Sequence, residues 1–218
     1  MARAPVLEAL ASVDEALLTQ DGLAVRALVW GQPRDGAARA YVVSPAGGQY
    51  QVSVVRDVAG MASASPAGSQ PLSLAERADA LLEVSDAVSG AAERLARLVA
   101  AETGKTIAQA REEVSAAAEL LTSMAVRVLE DGSTAYVSST LTMGQTWRAS
   151  QVGVWGQWSL VLASFTSPFF TAIAGAAASA LAGAPAIVKS PWQGAASALA
   201  AAYMFRGTAL EGYVSAVH

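Results

Sequence analysis

The arrangement of apolar and polar positions changes several times along this chain. From Pro5 to Gln20, Val6, Leu10, Val13 and Leu17 fall at steps of three and four. That spacing gathers side chains on one face of a short amphipathic helix. After Gly22 the runs shorten. Val25–Trp30, Ala40–Ser44 and Tyr50–Val55 read as strands, parted by Gly31-Gln32-Pro33 and by Pro45-Ala46-Gly47-Gly48, residue types that turn the chain. The stretch from Gly60 to Pro71, rich in Ala, Ser, Gly and Pro, predicts a loop.

A helical region then begins sharply. Ser73-Leu74-Ala75-Glu76 is a capping box, in which the serine side chain bonds the backbone N–H three residues on and the glutamate reaches back. The helix is expected to reach about Val88, to weaken at Ser89-Gly90 and to continue to Thr103, where Gly104 suits a left-handed cap. A third helix is expected from Thr106 to Leu129. Ile107, Ala110, Val114, Ala117, Leu121, Met124 and Val128 form its apolar stripe, with Arg111, Glu112, Glu119 and Arg127 on other faces. Beyond the Asp131-Gly132 turn, Thr134–Met143 and Thr146–Trp155 predict a hairpin around Gly144.

The remainder reads as β-α-β-α-β. Trp158–Ser164 is a strand, and Pro168 opens a helix at the position where its missing N–H is no loss. That helix ends at Gly183, Ala184–Lys189 is a buried strand, Gln193 to Arg206 a helix, and Gly212–Val217 begins another strand.

Composition narrows the chemistry. With 53% hydrophobic residues and 15% charged ones, the 218 residues can fill a core. A net charge of −4 with scattered cations gives no basis for nucleic-acid binding. The sequence has no cysteine and one histidine, His218, so disulfides, thiolate metal sites and cysteine nucleophiles are excluded and a zinc site is not expected. No Asp, Glu, Lys or Arg lies between Arg148 and Lys189, but polar residues and Pro168 interrupt that run and alanine dominates its second half. A buried parallel βαβ unit explains it better than a membrane span. Early charges at Glu8, Asp14 and Glu15 argue against a signal peptide, and a cytoplasmic protein is expected.

Gly104-Lys105-Thr106 resembles the end of a phosphate-binding P-loop, yet the first glycine of that motif would fall on Val99 and a helix precedes it. Glu102, Glu112 and Glu113 are candidate carboxylates whose placement on amphipathic helices predicts a solvated face. Lys189 closes an apolar strand just before Ser190-Pro191. It is either a solvated strand end or a point charge for a ribose hydroxyl or phosphate, because ligands of open α/β sheets gather at carboxyl strand ends. Thr166, in the turn Ser164-Phe165-Thr166-Ser167-Pro168, is placed to meet a ligand oxygen, while Ser167 before Pro168 suits a helix cap.

At these residues the sequence resembles the aldehyde dehydrogenase family. Leu72-Ser73-Leu74-Ala75-Glu76-Arg77-Ala78 is similar to the family's helix start, Ala101-Glu102-Thr103-Gly104-Lys105 to its E-x-G-K signature, and Ala110-Arg111-Glu112-Glu113-Val114 to the Glu-Val segment that follows. Val152-Gly153-Val154 or Trp155-Gly156 resembles the entry to the first nucleotide-binding strand. Thr166-Ser167-Pro168 stands at the family's Asn-Phe-Pro, and Ala180-Leu181-Ala182-Gly183 with Ala186-Ile187-Val188-Lys189 resembles the glycine turn and lysine strand. The resemblance runs from Leu72 to the end, roughly two-thirds of the chain.

It implies an α/β fold in which a helical segment and a β-hairpin arm lead into a partial Rossmann-like parallel sheet. The expected segments are 1–71 (N-terminal helix and strands), 72–130 (helical), 131–157 (an oligomerisation-type hairpin) and 158–218 (a partial nucleotide-binding unit). It also implies an NAD or NADP site formed by Lys189, Thr166, Ser190 and Trp192. Thr166 replaces the family's oxyanion asparagine, and Trp192 stands where an acidic residue is common. The glutamate base and nucleophilic cysteine of the family have no counterpart here, and aldehyde oxidation needs that thiolate.

Two expectations follow. One is a split half or structural subunit, a homo-oligomer or a partner of a second polypeptide, with its open sheet edge at Ile187–Val188 or Tyr213–Val217. The other is a repurposed binder of an apolar small molecule at Trp155, Trp158, Phe165, Thr166, Phe169, Lys189 and Trp192.

Overall fold

The computed structural model describes residues 4–63, 72–131 and 158–218. The expected hairpin, and Trp155 with it, lies outside them. Helix α1 (Pro5–Val13) is followed by strands β1 (Ala24–Val25), β2 (Ala27–Val29), β3 (Gln32–Arg34), β4 (Ala38–Val43) and β5 (Gln49–Val54), and then by the short helix α2 (Val58–Ser63). Helices α3 (Leu74–Gly90), α4 (Ala92–Thr103) and α5 (Ile107–Asp131) form the central layer. The last part alternates: β6 (Ser159–Leu162), α6 (Pro168–Leu181), β7 (Ala186–Lys189), α7 (Ala195–Tyr203) and β8 (Val214–Val217).

Local chemistry explains most of these boundaries. Ser73 and Glu76 complete both halves of the capping box at the start of α3. The break at Ser89-Gly90 appears as the single residue Ala91 between α3 and α4, and Gly104 ends α4 at φ 76°. Two expectations were too simple. Of the expected turn Gly31-Gln32-Pro33, Gln32 and Pro33 belong instead to strand β3, because Trp30 and Gly31 both adopt positive φ and fold β3 back on β2 in a two-residue hairpin. The first residues of the loop expected over Gly60–Pro71 are helical, as part of Val58–Ser63, where the Trp30 indole N–H donates to the Met61 carbonyl at 3.0 Å, and residues 64–71 lie outside the described ones.

There are two described sheets. One has the order β1-β5-β4; the other runs β3-β2-β8-β7-β6. In the larger sheet β6, β7 and β8 are parallel, and β2 joins β8 antiparallel through Leu28↔Ala216. The strands at 187–188 and 213–217, expected at an open edge, are therefore interior. Among the described strands the sheet edges are β3 and β6, because the N-terminal hairpin covers β8.

One face of the parallel strands is covered by α6 and α7, whose alanines allow close packing; Ala172, Ile173, Ala176, Ala196 and Leu199 are fully buried. At Gly175 an added Cβ would come within 2.4 Å of Val161 Cγ1 on β6. Val161 is β-branched and stiff at χ1, so it cannot swing aside. Gly175→Ala is expected to destabilise the chain by about 2 kcal/mol, checked by urea unfolding. A second small cluster, Trp30, Met61, Ala62, Ile187 and Val217, covers part of the opposite face. Leu160 and Leu162 of β6 stay exposed. No described helix is long and apolar enough to cross a membrane.

Candidate functional site

The carboxyl ends of the parallel strands are held level. Leu162 pairs with Lys189 and Lys189 with Val217. The ladder then extends one step beyond the strands, through Ala163 N–H to Lys189 O at 3.1 Å and Ser190 N–H to Val217 O at 2.9 Å. Lys189 therefore stands on the rim of the middle strand. Its side chain is exposed, and its ammonium donates to the Ser190 carbonyl at 2.6 Å. Trp192, 45% exposed, follows in a short turn leading into α7.

Thr166 lies on the same rim, in the turn between β6 and α6, and is exposed. Its hydroxyl is 2.8 Å from that of Ser164, and the Ser164 N–H donates to Thr171 Oγ1 at 2.9 Å. Ser167 precedes Pro168 as expected, yet its side chain makes no capping bond. Ser190 is different again. It is 1% exposed, and its hydroxyl lies 2.7 Å from His218 Nδ1. His218 Nε2 is 2.8 Å from the Arg26 carbonyl, which can only accept, so Nε2 carries the proton and Nδ1 receives the serine's. Burial, with the Lys189 charge adding to it, lowers the His218 imidazole to about 4. Lys189, Thr166 and Trp192 thus reach the rim, while the Ser190 hydroxyl faces inward and is already engaged.

The turn that bears Thr166 is fixed by residues that sequence reasoning assigned to a solvated face. Glu113 is 7% exposed, and its Oε1 accepts from the N–H groups of Phe169 and Phe170 at 3.0 and 3.1 Å, capping α6 in place of Ser167. Its other oxygen pairs with the Lys105 ammonium, which also lies 3.4 Å from Ser167 Oγ. Lys105 of the Gly-Lys-Thr sequence is therefore a clamp on α6.

Glu102, 1% exposed, does the same for α7. It accepts from Ala196 N–H at 2.8 Å, Ser197 N–H at 2.7 Å and the Tyr50 hydroxyl at 2.5 Å. Burial pushes its carboxyl up, against the pull of these donors, and burial with the adjacent carboxylate pushes the Tyr50 phenol far above its usual range. Glu112 is exposed. In the sequence Ser167 stands ready as a cap for α6 and hides the role of Glu113, while α7 opens after Gly194 with no side-chain cap of its own.

The aromatic set proposed as a ligand pocket separates. Phe169 is wholly buried in the core, whereas Trp158, Phe165 and Trp192 are exposed.

A parallel βαβαβ unit with a lysine on the rim of its middle strand is the architecture of a dinucleotide-binding half-sheet. Residues 39–217 match the model of the aldehyde dehydrogenase family, and the chain belongs to that family. Among solved structures it is similar to an oxidoreductase from Marinobacter aquaeolei, with a TM-score of 0.72 and 21% identity over 100% of this chain and 44% of that one. It is also similar to an E. coli NADP dependent enzyme (TM-score 0.68, 25% identity, 94% and 43% covered). The third is an aldehyde dehydrogenase from Brucella melitensis biovar abortus 2308 (TM-score 0.68, 22% identity, 94% and 42% covered). The chain thus spans less than half the length of these structures. No curated protein matches it.

Proposed function

We propose that this chain supplies the nucleotide-holding part of an aldehyde dehydrogenase-type oxidoreductase, and that the thiolate chemistry comes from residues outside its sequence. The observation that carries this reading is the exposed Lys189 ammonium on the level rim of β6, β7 and β8. A lysine there offers a point charge to a phosphate or a donor to a ribose hydroxyl of NAD or NADP. Trp192 is exposed in the turn that follows β7, and Thr166 is exposed in the turn that follows β6.

The 218 residues contain no cysteine, so no thiohemiacetal can form on them. Completion in the same or a second polypeptide has a surface to use. Edge strand β6 carries Leu160, 52% exposed, and Leu162, 72% exposed, with Trp158 and Phe165 at its ends.

Calorimetry with NAD and NADP tests the reading. Saturable binding of either, weakened about tenfold or more by Lys189→Ala, is the expected result, since a charge-assisted hydrogen bond contributes about that much. A well-folded chain that binds neither nucleotide would overturn it.

A further inference from the structure

Away from the strand rim, a hollow of about 250 Å³ opens where α1, the α3–α4 junction and the end of α7 meet. Its floor is apolar, with Val13, Ala91 and Met204, and its charged lining is Arg94 and Arg206. The chain is acidic overall, with a net charge of −4, so two guanidinium groups on one small concavity are out of keeping with the average surface.

The hydrogen bonds of these arginines leave most of their donors unused. Arg94 reaches the Ser12 carbonyl at 3.5 Å, and Arg206 donates to the Tyr203 hydroxyl with its guanidinium 5.3 Å from that ring's centre. Among the described residues neither arginine has a carboxylate within ion-pair distance. Each guanidinium carries five N–H donors in a planar fork. Two nearby carboxylates, Glu211 and Asp14, act on Arg206 through their charge but form no ion pair with it. Asp14 accepts from the Tyr203 hydroxyl and from Ala16 N–H, and Glu211 accepts from Gly207 N–H at 2.9 Å and Gln32 Nε2 at 2.7 Å. Tyr203, anchored by Asp14, holds Arg206 against the hollow rather than leaving it free in solvent.

We propose that this hollow is an anion site that takes the phosphoryl group of a small molecule, with Arg94 and Arg206 as its ligating residues. A tetrahedral dianion can accept from two forks at once, whereas a single carboxylate is satisfied by one. The apolar floor gives an attached carbon skeleton somewhere to lie. The site shares no residue with the strand rim, so it does not depend on nucleotide binding there.

Inorganic phosphate is the probe, titrated against the full chain at fixed ionic strength and followed by ³¹P line width and by the backbone amide signals of Ala91 and Gly207. Saturable one-to-one binding in about the millimolar range is expected, with both amides shifting. Arg94→Gln and Arg206→Gln should each weaken it about tenfold in chains that circular dichroism shows to be folded. Non-saturating behaviour, unmoved Ala91 and Gly207 amides, or binding that survives both substitutions would overturn the proposal. So would binding abolished by Lys189→Ala, which would place the phosphate on the strand rim.

Discussion

Replacing Glu102 with alanine is expected to destabilise the chain by about 3–5 kcal/mol, because a buried acceptor of several donors is removed and none of them can reach water. Three donors lose their partner together: the Tyr50 hydroxyl and the N–H groups of Ala196 and Ser197. Tyr50 is 2% exposed, and Ala196 and Ser197 are fully buried. The carboxylate also joins parts distant in sequence, tying β5 to the start of α7 from its seat near the end of α4. Glu102→Gln keeps one acceptor but places an NH₂ against a backbone N–H, so an intermediate loss is expected. Urea unfolding of the three proteins checks the order. A loss below about 1 kcal/mol in the alanine variant would mean that these donors find other partners, within the usual range of a single hydrogen bond.

The second large effect is a dependence on pH. His218 in the folded chain titrates near 4, against an ordinary value of 6.5. Above 6.5 both folded and unfolded imidazoles are neutral and the stabilisation is complete. As pH falls from 6.5 towards 4, the unfolded chain takes up a proton that the folded one refuses, so stability is lost. The full difference amounts to about 3 kcal/mol. Protonation would put a hydrogen on Nδ1, facing the Ser190 hydroxyl that now donates to it. Glu102 works in the opposite sense, since its raised value favours the folded state as pH falls. The informative quantity is therefore the difference between the parent chain and His218→Gln. Unfolding free energies at several pH values between 4 and 7 should converge at the acid end. Parallel curves would show that His218 is accessible to protons in the fold.

The elements were legible wherever local chemistry decided them. The capping box at Ser73, the weak point at Ser89-Gly90, the left-handed Gly104 and the βαβαβ alternation all appear where short-range patterns place them. What escaped was settled by partners far along the chain. The strand at Gln32–Arg34 depends on Trp30 accepting φ 47°, which its own Cβ disfavours and which its bonds to the Ser215 hydroxyl and the Met61 carbonyl hold in place. The sheet edge was misplaced because nothing in the residues around Val214 announces that β2 will cover them. At the candidate site, Lys189 and Thr166 were readable from strand and turn patterns. Glu102 and Glu113 were not, because helical periodicity shows which face a carboxylate occupies but not that another helix begins against it.

The pairing of β2 with β8 also bears on how the chain acquires its shape. The Trp30 N–H donates its hydrogen bond to the hydroxyl of Ser215, 185 positions away, and no nearer described strand occupies that side of β2. Until residues near Val214 have been synthesised, β2 has its hairpin neighbour β3 and a bare opposite edge. Contacts of such long sequence separation require closing a long loop before they return any energy, which slows folding. On the ribosome the helical layer and the small β1-β5-β4 sheet can form first, while the larger sheet waits for its central members. During that interval the β2 edge is open to mispairing, and a chaperone that shields extended segments would be expected to raise the yield of correctly folded chain.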